Sequence, residues 1–277
     1  MNVMLAIILA IVQGITELFP ISSLGHAVIL PAILGWKIDE HADGFLPFLV
    51  VMHLGTALAL LIYFARDWRD FATAVLFRRD ADASKERRLF YQVVVATIPA
   101  VIFGFTFEHL LRGAFASAPL AAIFLVLNGV MLFGADRVKV SQSRMLDQLR
   151  WRDALLIGFW QCLALIPGLS RSGATMVGGY LSGLKHEDAA RFSFLTATPI
   201  ILGAGVLEVP KLIKHHGSFG GVSLLAGVVA GITAFVSVAI LMRWFRAREI
   251  KAFTPFAIYC VVAGIAALVW LHIEHLA

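Results

Sequence analysis

An all-α integral membrane protein, with six spanning helices and two re-entrant helix-loop-helix hairpins in two inverted-topology repeats, is the fold that this sequence predicts. Three observations lead to it. The 277-residue chain is 60% hydrophobic and 15% charged with a mean hydropathy of +0.85, more apolar surface than one soluble core of this length uses. Its apolar stretches come in two distinct lengths, and the sequence matches itself at a shift of 148 residues.

Six apolar stretches, at roughly 45–65, 89–110, 118–136, 188–209, 219–243 and 253–273, reach the ~20 residues a helix needs to cross a hydrocarbon core. Four more, at roughly 4–19, 23–34, 153–166 and 172–183, are too short, since 1.5 Å per residue carries them only about 18–24 Å. The short stretches fall in adjacent pairs joined by "FPISSLGH" and "PGLSRSGAT". Each pair reads as a hairpin that enters the membrane and returns on the same side, its irregular backbone buried in protein or lining a polar cavity. The opening segment "MNVMLAIILAIVQG" has no basic n-region and no small-residue cleavage site, so it is expected to belong to the mature fold.

The 148-residue shift lays "QGITELFPISSLGHA" over "QCLALIPGLSRSGAT", matching Gln13 with Gln161, Ser22 with Ser170 and Gly25 with Gly173. The chain then reads as a single membrane domain of two repeats, approximately 1–143 and 144–277, each with one hairpin and three spans; an odd number of spans inverts the second repeat. The hairpins are expected to meet near mid-membrane from opposite faces. Loop charge agrees: sixteen Lys and Arg residues lie in segments 66–88, 137–152 and 243–251, against Lys37, Arg112, Lys211 and Lys214 in segments assigned to the other face. The positive-inside rule puts the sixteen in the cytoplasm and both termini and the first hairpin outside.

Composition also excludes some functions. The net charge of +5 is scattered over loops rather than gathered on one face, so no nucleic-acid partner is expected. Cys162 and Cys260 lie in apolar segments without CxxC or Cys/His spacing, which argues against a disulfide framework or a zinc site.

Lys185 and Arg191 flank the second hairpin on the cytoplasmic side, which leaves Arg171 as the one basic residue expected inside the bilayer, and such a residue signals function. It needs an anion, either Glu17 or a phosphate. Ser170-Arg171-Ser172-Gly173 opens a helix, where backbone N–H groups and the dipole attract anions, and a planar guanidinium adds a two-pronged clamp; phosphate is the favoured reading. The plainer alternative is an ion pair with Glu17 that ties the hairpins together. In the first hairpin, Gln13 and Glu17 are four apart and share a helix face. Glu17 suits a hard divalent cation or a general base, and Gln13 adds a carbonyl oxygen. Of Ser22 and Ser23, one is expected to cap the next helix and the other to be a nucleophile. His26, one turn on, is a candidate for proton transfer, against a merely structural role. Thr175 either faces the phosphate or bonds back to a helix carbonyl. His53 is read as a packing or hydrogen-bonding residue without chemistry.

"QGITELFPISSLGH" and "PGLSRSGAT" resemble the (E/Q)xxxE, SSxGH and PGxSRSxxT motifs of the bacterial undecaprenyl-diphosphate phosphatases, the BacA/UppP family, and the likeness runs on through "RFSFLTATP" and "FTPFAIY". The resemblance implies hydrolysis of the C55 lipid carrier diphosphate to the monophosphate and inorganic phosphate in the bacterial inner membrane. That reaction recycles the carrier for peptidoglycan synthesis and is associated with bacitracin resistance. By position it implies catalytic roles for Glu17, Ser23, His26 and Arg171, with Ser22, Ser170, Ser172, Gly173 and Thr175 around the substrate. A Mg²⁺ or Ca²⁺ ion near Glu17 and Gln13 is expected to neutralise the diphosphate; Gln13 stands where the family often has glutamate, leaving one carboxylate fewer. The expected partners are the lipid substrate and the bilayer, and a homodimer is left open. The site is expected near mid-membrane, opening to the periplasmic side.

Two other classes share features with this sequence. A transporter or lipid flippase shares the inverted-repeat architecture, but the set of nucleophile, base and arginine favours an enzyme. The phosphatidic-acid-phosphatase type of lipid phosphatase needs a histidine soon after its Ser-Arg, and here the first after Ser170-Arg171 is His186.

Overall fold

The computed structural model describes residues 2–36, 45–107, 117–138, 144–214, 220–248 and 250–276. These run through α1 (Val3–Thr16), α2 (Ser23–Ile33), α3 (Phe45–Tyr63), α4 (Ala65–Leu76), α5 (Ala81–Thr106), α6 (Ala118–Ala135), α7 (Trp151–Cys162), α8 (Arg171–Leu181), α9 (His186–Lys214), α10 (Gly220–Ala247) and α11 (Thr254–Leu276). Among the described residues, five helices, α5, α6, α9, α10 and α11, are long and apolar enough to cross a membrane, and α3 makes a sixth when joined to α4, from which it is bent by 74°. The chain is a multi-pass membrane protein.

The six expected spans coincide with α3, α5, α6, α9, α10 and α11, and the four short stretches with α1, α2, α7 and α8. The basic residues assigned to the outer face, Lys37, Arg112, Lys211 and Lys214, lie outside the residues whose side chains are described. Helix α5 starts at Ala81, before its apolar stretch, because Asp80 caps it: Oδ1 accepts from the Ala83 N–H at 2.9 Å. That bond, and then the Arg78 guanidinium, hold the Asp80 carboxyl below the usual carboxylate range. The segment that the charge count treats as loop contains helix α4. It is amphipathic: Phe71 and Ala74, three apart, are buried, and Trp68 meets Phe71 edge-on at 5.6 Å. Arg69 and Asp70 pair with each other on its exposed side.

Lipid tails are as apolar as the helices, so helices in a membrane associate through close packing of small residues. A Cβ at Gly55 of α3 would overlap the Gly227 carbonyl oxygen of α10, and one at Gly129 of α6 would lie 2.7 Å from the Ala257 carbonyl oxygen of α11. Helix α1 packs on α10 and α7 on α5, while α3 also contacts α9. Through α1 and α7 they bury the turns that lead into α2 and α8, and α1 also touches α3. Gly55→Ala should therefore force α3 and α10 apart and cost about 1–3 kcal/mol, the usual penalty for overpacking. A lowered unfolding temperature in detergent checks this; an unchanged one refutes the contact.

Candidate active site

Two turns meet at the centre of the molecule. The first leaves α1 at Thr16, passes Pro20 and enters α2 with Ser22 as N-cap, its Oγ accepting from the Gly25 N–H at 3.2 Å. The second leaves α7 through a short 3₁₀ turn, Leu163–Leu165, and enters α8 with Ser170 as N-cap, its Oγ accepting from the Gly173 N–H at 3.1 Å. Gly168 has φ +97 and its missing Cβ would overlap the Ala121 carbonyl oxygen, so both conformation and space demand glycine.

The turns interlock. A Cβ at Gly25 would lie 3.1 Å from the Gly168 Cα, and one at Gly173 would lie 3.3 Å from the Pro20 Cβ. Asn128 of α6 ties both turns at once: Nδ2 donates to the Pro20 carbonyl at 2.9 Å and Oδ1 accepts from the Ser170 N–H at 3.0 Å. Ser172 Oγ adds a bond to the Phe19 carbonyl at 3.1 Å and meets Ser170 Oγ at 3.0 Å.

Glu17 sits between the turns, 6% exposed. Its Oε1 accepts from Arg171 Nη2 at 2.8 Å, and its Oε2 accepts from Ser23 Oγ at 2.6 Å and from Gln13 Nε2 at 3.1 Å. His53 Nε2 approaches the same Oε2 at 3.2 Å. Arg171 thus finds its anion in Glu17, and its Nη1 lies 3.4 Å from the Ser193 carbonyl oxygen. Ser23 opens α2 and aims its hydroxyl at Glu17. His26 faces elsewhere: Nδ1 donates to the Ser22 carbonyl at 2.7 Å, which leaves Nε2 to accept from the Tyr259 hydroxyl at 2.7 Å. Thr175 takes the bond-back option, donating to the Arg171 carbonyl at 2.7 Å and meeting Ser193 Oγ. Ser22 has φ +69, a left-handed conformation that a side-chain residue adopts only under constraint from its surroundings. The cap bond and His26 supply that constraint.

The set contains a hydroxyl on a carboxylate, a guanidinium on the far side of that carboxylate, and two helix N-termini directed at one place. Such a cluster can deprotonate the hydroxyl, hold a phosphate and stabilise charge on it. A hard divalent cation here would draw on the Glu17 carboxylate, the Gln13 amide and substrate oxygens; among the described residues no three His, Cys, Asp or Glu side chains converge on one point.

The family model described as bacitracin resistance protein BacA matches residues 6–266. The chain belongs to the BacA family. It is 53% identical to a protein named undecaprenyl-diphosphatase from Granulibacter bethesdensis, covering 98% of both chains. It is 48% identical to one of the same name from Acidiphilium cryptum, over 97% of this chain and 98% of that one. A third, named undecaprenyl-diphosphatase 2, from Oenococcus oeni, is 44% identical over 97% of this chain and 98% of that one. Every residue of the Glu17 cluster falls within the stretch that the BacA model matches.

Sequence reading did not find His53, Asn128, Ser193 or Tyr259 for this BacA-family site. Asn128 and His53 carried a usable signal, a polar side chain in the interior of an apolar span. Asn128→Leu should leave the Pro20 carbonyl and the Ser170 N–H without their partner, each costing about 1–3 kcal/mol. A drop in unfolding temperature with loss of activity is the expected result; native stability would show that the turns are held by other contacts.

Proposed function

We propose that the chain hydrolyses undecaprenyl diphosphate to undecaprenyl phosphate and inorganic phosphate within the bacterial inner membrane. The observation that carries this is the Ser23 hydroxyl donating to Glu17 at 2.6 Å while Arg171 holds the opposite oxygen at 2.8 Å. The names of the relatives agree with it. A transporter needs no hydroxyl poised on a base, so nothing in the site favours that reading.

Ser23 Oγ attacks the terminal phosphorus as its proton passes to Glu17. The bond from phosphorus to the bridging oxygen breaks, and the lipid monophosphate leaves with the electron pair. The Ser170 and Gly173 amides are taken by Asn128 and by the Ser170 cap, so the Arg171 guanidinium and the N–H groups of Arg171 and Ser172 at the start of α8 face the charge on the non-bridging oxygens. Once Glu17 has released its proton to solvent, it takes one from a water molecule that attacks the phosphoserine; phosphate departs and Ser23 recovers the proton. Mg²⁺ or Ca²⁺, held by Glu17 and the Gln13 carbonyl, would supply further neutralisation of the diphosphate when bound. His26 holds the Ser22 carbonyl and thereby the direction of Ser23.

The inverted repeat is supported by the turn contacts, because Gly25 with Gly168 and Gly173 with Pro20 are one contact made twice under the 148-residue shift. Together with the positive-inside rule, it supports a first hairpin on the periplasmic side and a site near mid-membrane. The lipid tail reaches it from the bilayer, between spans.

Phosphate release from the C55 diphosphate by purified protein, with and without chelator, tests the activity. Arg171→Lys keeps the charge and loses the fork, so a folded protein with activity down about 100-fold or more is expected; near-normal turnover sinks the clamp. Ser23→Ala should abolish hydrolysis and leave binding of the lipid diphosphate largely intact. If that variant retains a tenth of the rate or better, Ser23 is not the nucleophile, and direct attack by water with Glu17 as base replaces it.

A further inference from the structure

We propose that His53 and Glu17 form the protein half of a divalent-cation site in which an imidazole nitrogen takes the place of a second carboxylate. The site deepens the phosphatase reading and rests on it for the substrate, but ion binding is measurable apart from hydrolysis. His53 Nδ1 lies 2.8 Å from the Leu49 carbonyl oxygen. A carbonyl only accepts, so Nδ1 donates to it and leaves the Nε2 lone pair as the ring's one site for a proton or an ion. This is how proteins commonly orient a metal-binding histidine, by anchoring the other ring nitrogen on a backbone carbonyl.

The lone pair faces Glu17 Oε2 at 3.2 Å. Two acceptors at that distance repel unless a cation serves both, either a proton or a metal ion. Either occupant fits that spacing, so a divalent ion would take the place of the proton. Two ligand atoms each about 2.1 Å from one ion, at angles between octahedral and tetrahedral, stand about 3.0–3.4 Å apart, and the observed separation falls inside that range. A third donor is adjacent. The Gln13 amide nitrogen lies 3.1 Å from the same oxygen, and rotating that amide by half a turn presents its carbonyl instead.

Access and charge fit as well. The His53 side chain is 25% exposed against 5% for Glu17, so the ion can enter past the ring and keep open positions for phosphate oxygens. Arg171 already matches the single carboxylate; a divalent ion then leaves the site with the excess positive charge that a diphosphate requires. A nitrogen ligand also changes which ion binds best. Mg²⁺ and Ca²⁺ prefer all-oxygen shells, whereas imidazole suits first-row transition ions, so Mn²⁺ should bind more tightly than either.

The test uses untagged full-length protein in detergent, stripped with chelator and titrated with Mn²⁺ alone. Paramagnetic resonance should show one bound Mn²⁺ per chain, with coupling to a ¹⁴N nucleus, and Ca²⁺ should displace it only at about tenfold excess or more. In His53→Gln, checked for an unchanged unfolding temperature, the nitrogen coupling should vanish and affinity fall about 10–100-fold. Absence of stoichiometric Mn²⁺ binding, or bound Mn²⁺ without nitrogen coupling in the unaltered protein, overturns the site, as does coupling that survives in His53→Gln. Protein that binds Mn²⁺ through nitrogen yet releases no phosphate from the C55 diphosphate overturns the function and spares the site.

Discussion

Taking a carboxylate out of water into the middle of a membrane protein costs several kcal/mol unless opposite charge and hydrogen-bond donors surround it, and Glu17 is met by both. Arg171 takes one oxygen, and Ser23 and Gln13 take the other. Arg171 stands 154 residues away in the chain, so the ion pair exists only if two separate turns are brought into contact. That requirement passes outward. The turns touch because Gly25, Gly168 and Gly173 carry no side chains, and they stay in register because Asn128 bonds to both. The long helices in turn hold α6 and α3 where Asn128 and His53 reach the centre.

Ser23 and Arg171 occupy matching positions, each the first residue of the helix that follows its turn. One place in the repeat carries a hydroxyl and the other a cation. Two helix N-termini at one place make a stronger anion site than either alone. The turns differ in one respect that bears on chemistry: Ser170 caps its helix with φ −88, whereas Ser22 does so with φ +69. Strain of this kind persists where neighbours over-determine it, and it lies beside the hydroxyl that has to point at Glu17 rather than along its own helix.

Much of this was legible from the chain. The lengths of the apolar stretches identified the spans and the four short helices, because crossing a bilayer sets a length that composition alone reveals. Arg171 and Glu17 stood out because charge in apolar surroundings is rare. Helix α4 was not legible, since a short amphipathic helix has nearly the hydropathy of a charged loop, and only the spacing of Phe71 and Ala74 gives it away. His53 and Asn128 stand out as polar side chains in apolar spans, yet what they do was hidden for a different reason. Their roles depend on which face of a span meets which turn, and in a helix apolar on every side the sequence carries no stripe to say so. Thr175 shows the limit of local rules, which offered two hydroxyl geometries and no means of choosing between them.

The ion pair that holds the turns together is also the one that has to open to substrate, and these two demands are compatible. An arginine left without an anion in this setting would be driven to find water or another acceptor, and the turns would separate. Glu17 supplies the anion while the site is empty. When a phosphate arrives, Arg171 exchanges one oxygen anion for another of similar geometry, and the guanidinium has spare donors to hold both during the exchange. Glu17, relieved of part of its strongest partner, becomes the better base for Ser23 at the moment the phosphorus is in place. On the proposed mechanism, substrate binding and activation of the nucleophile are coupled through one carboxylate.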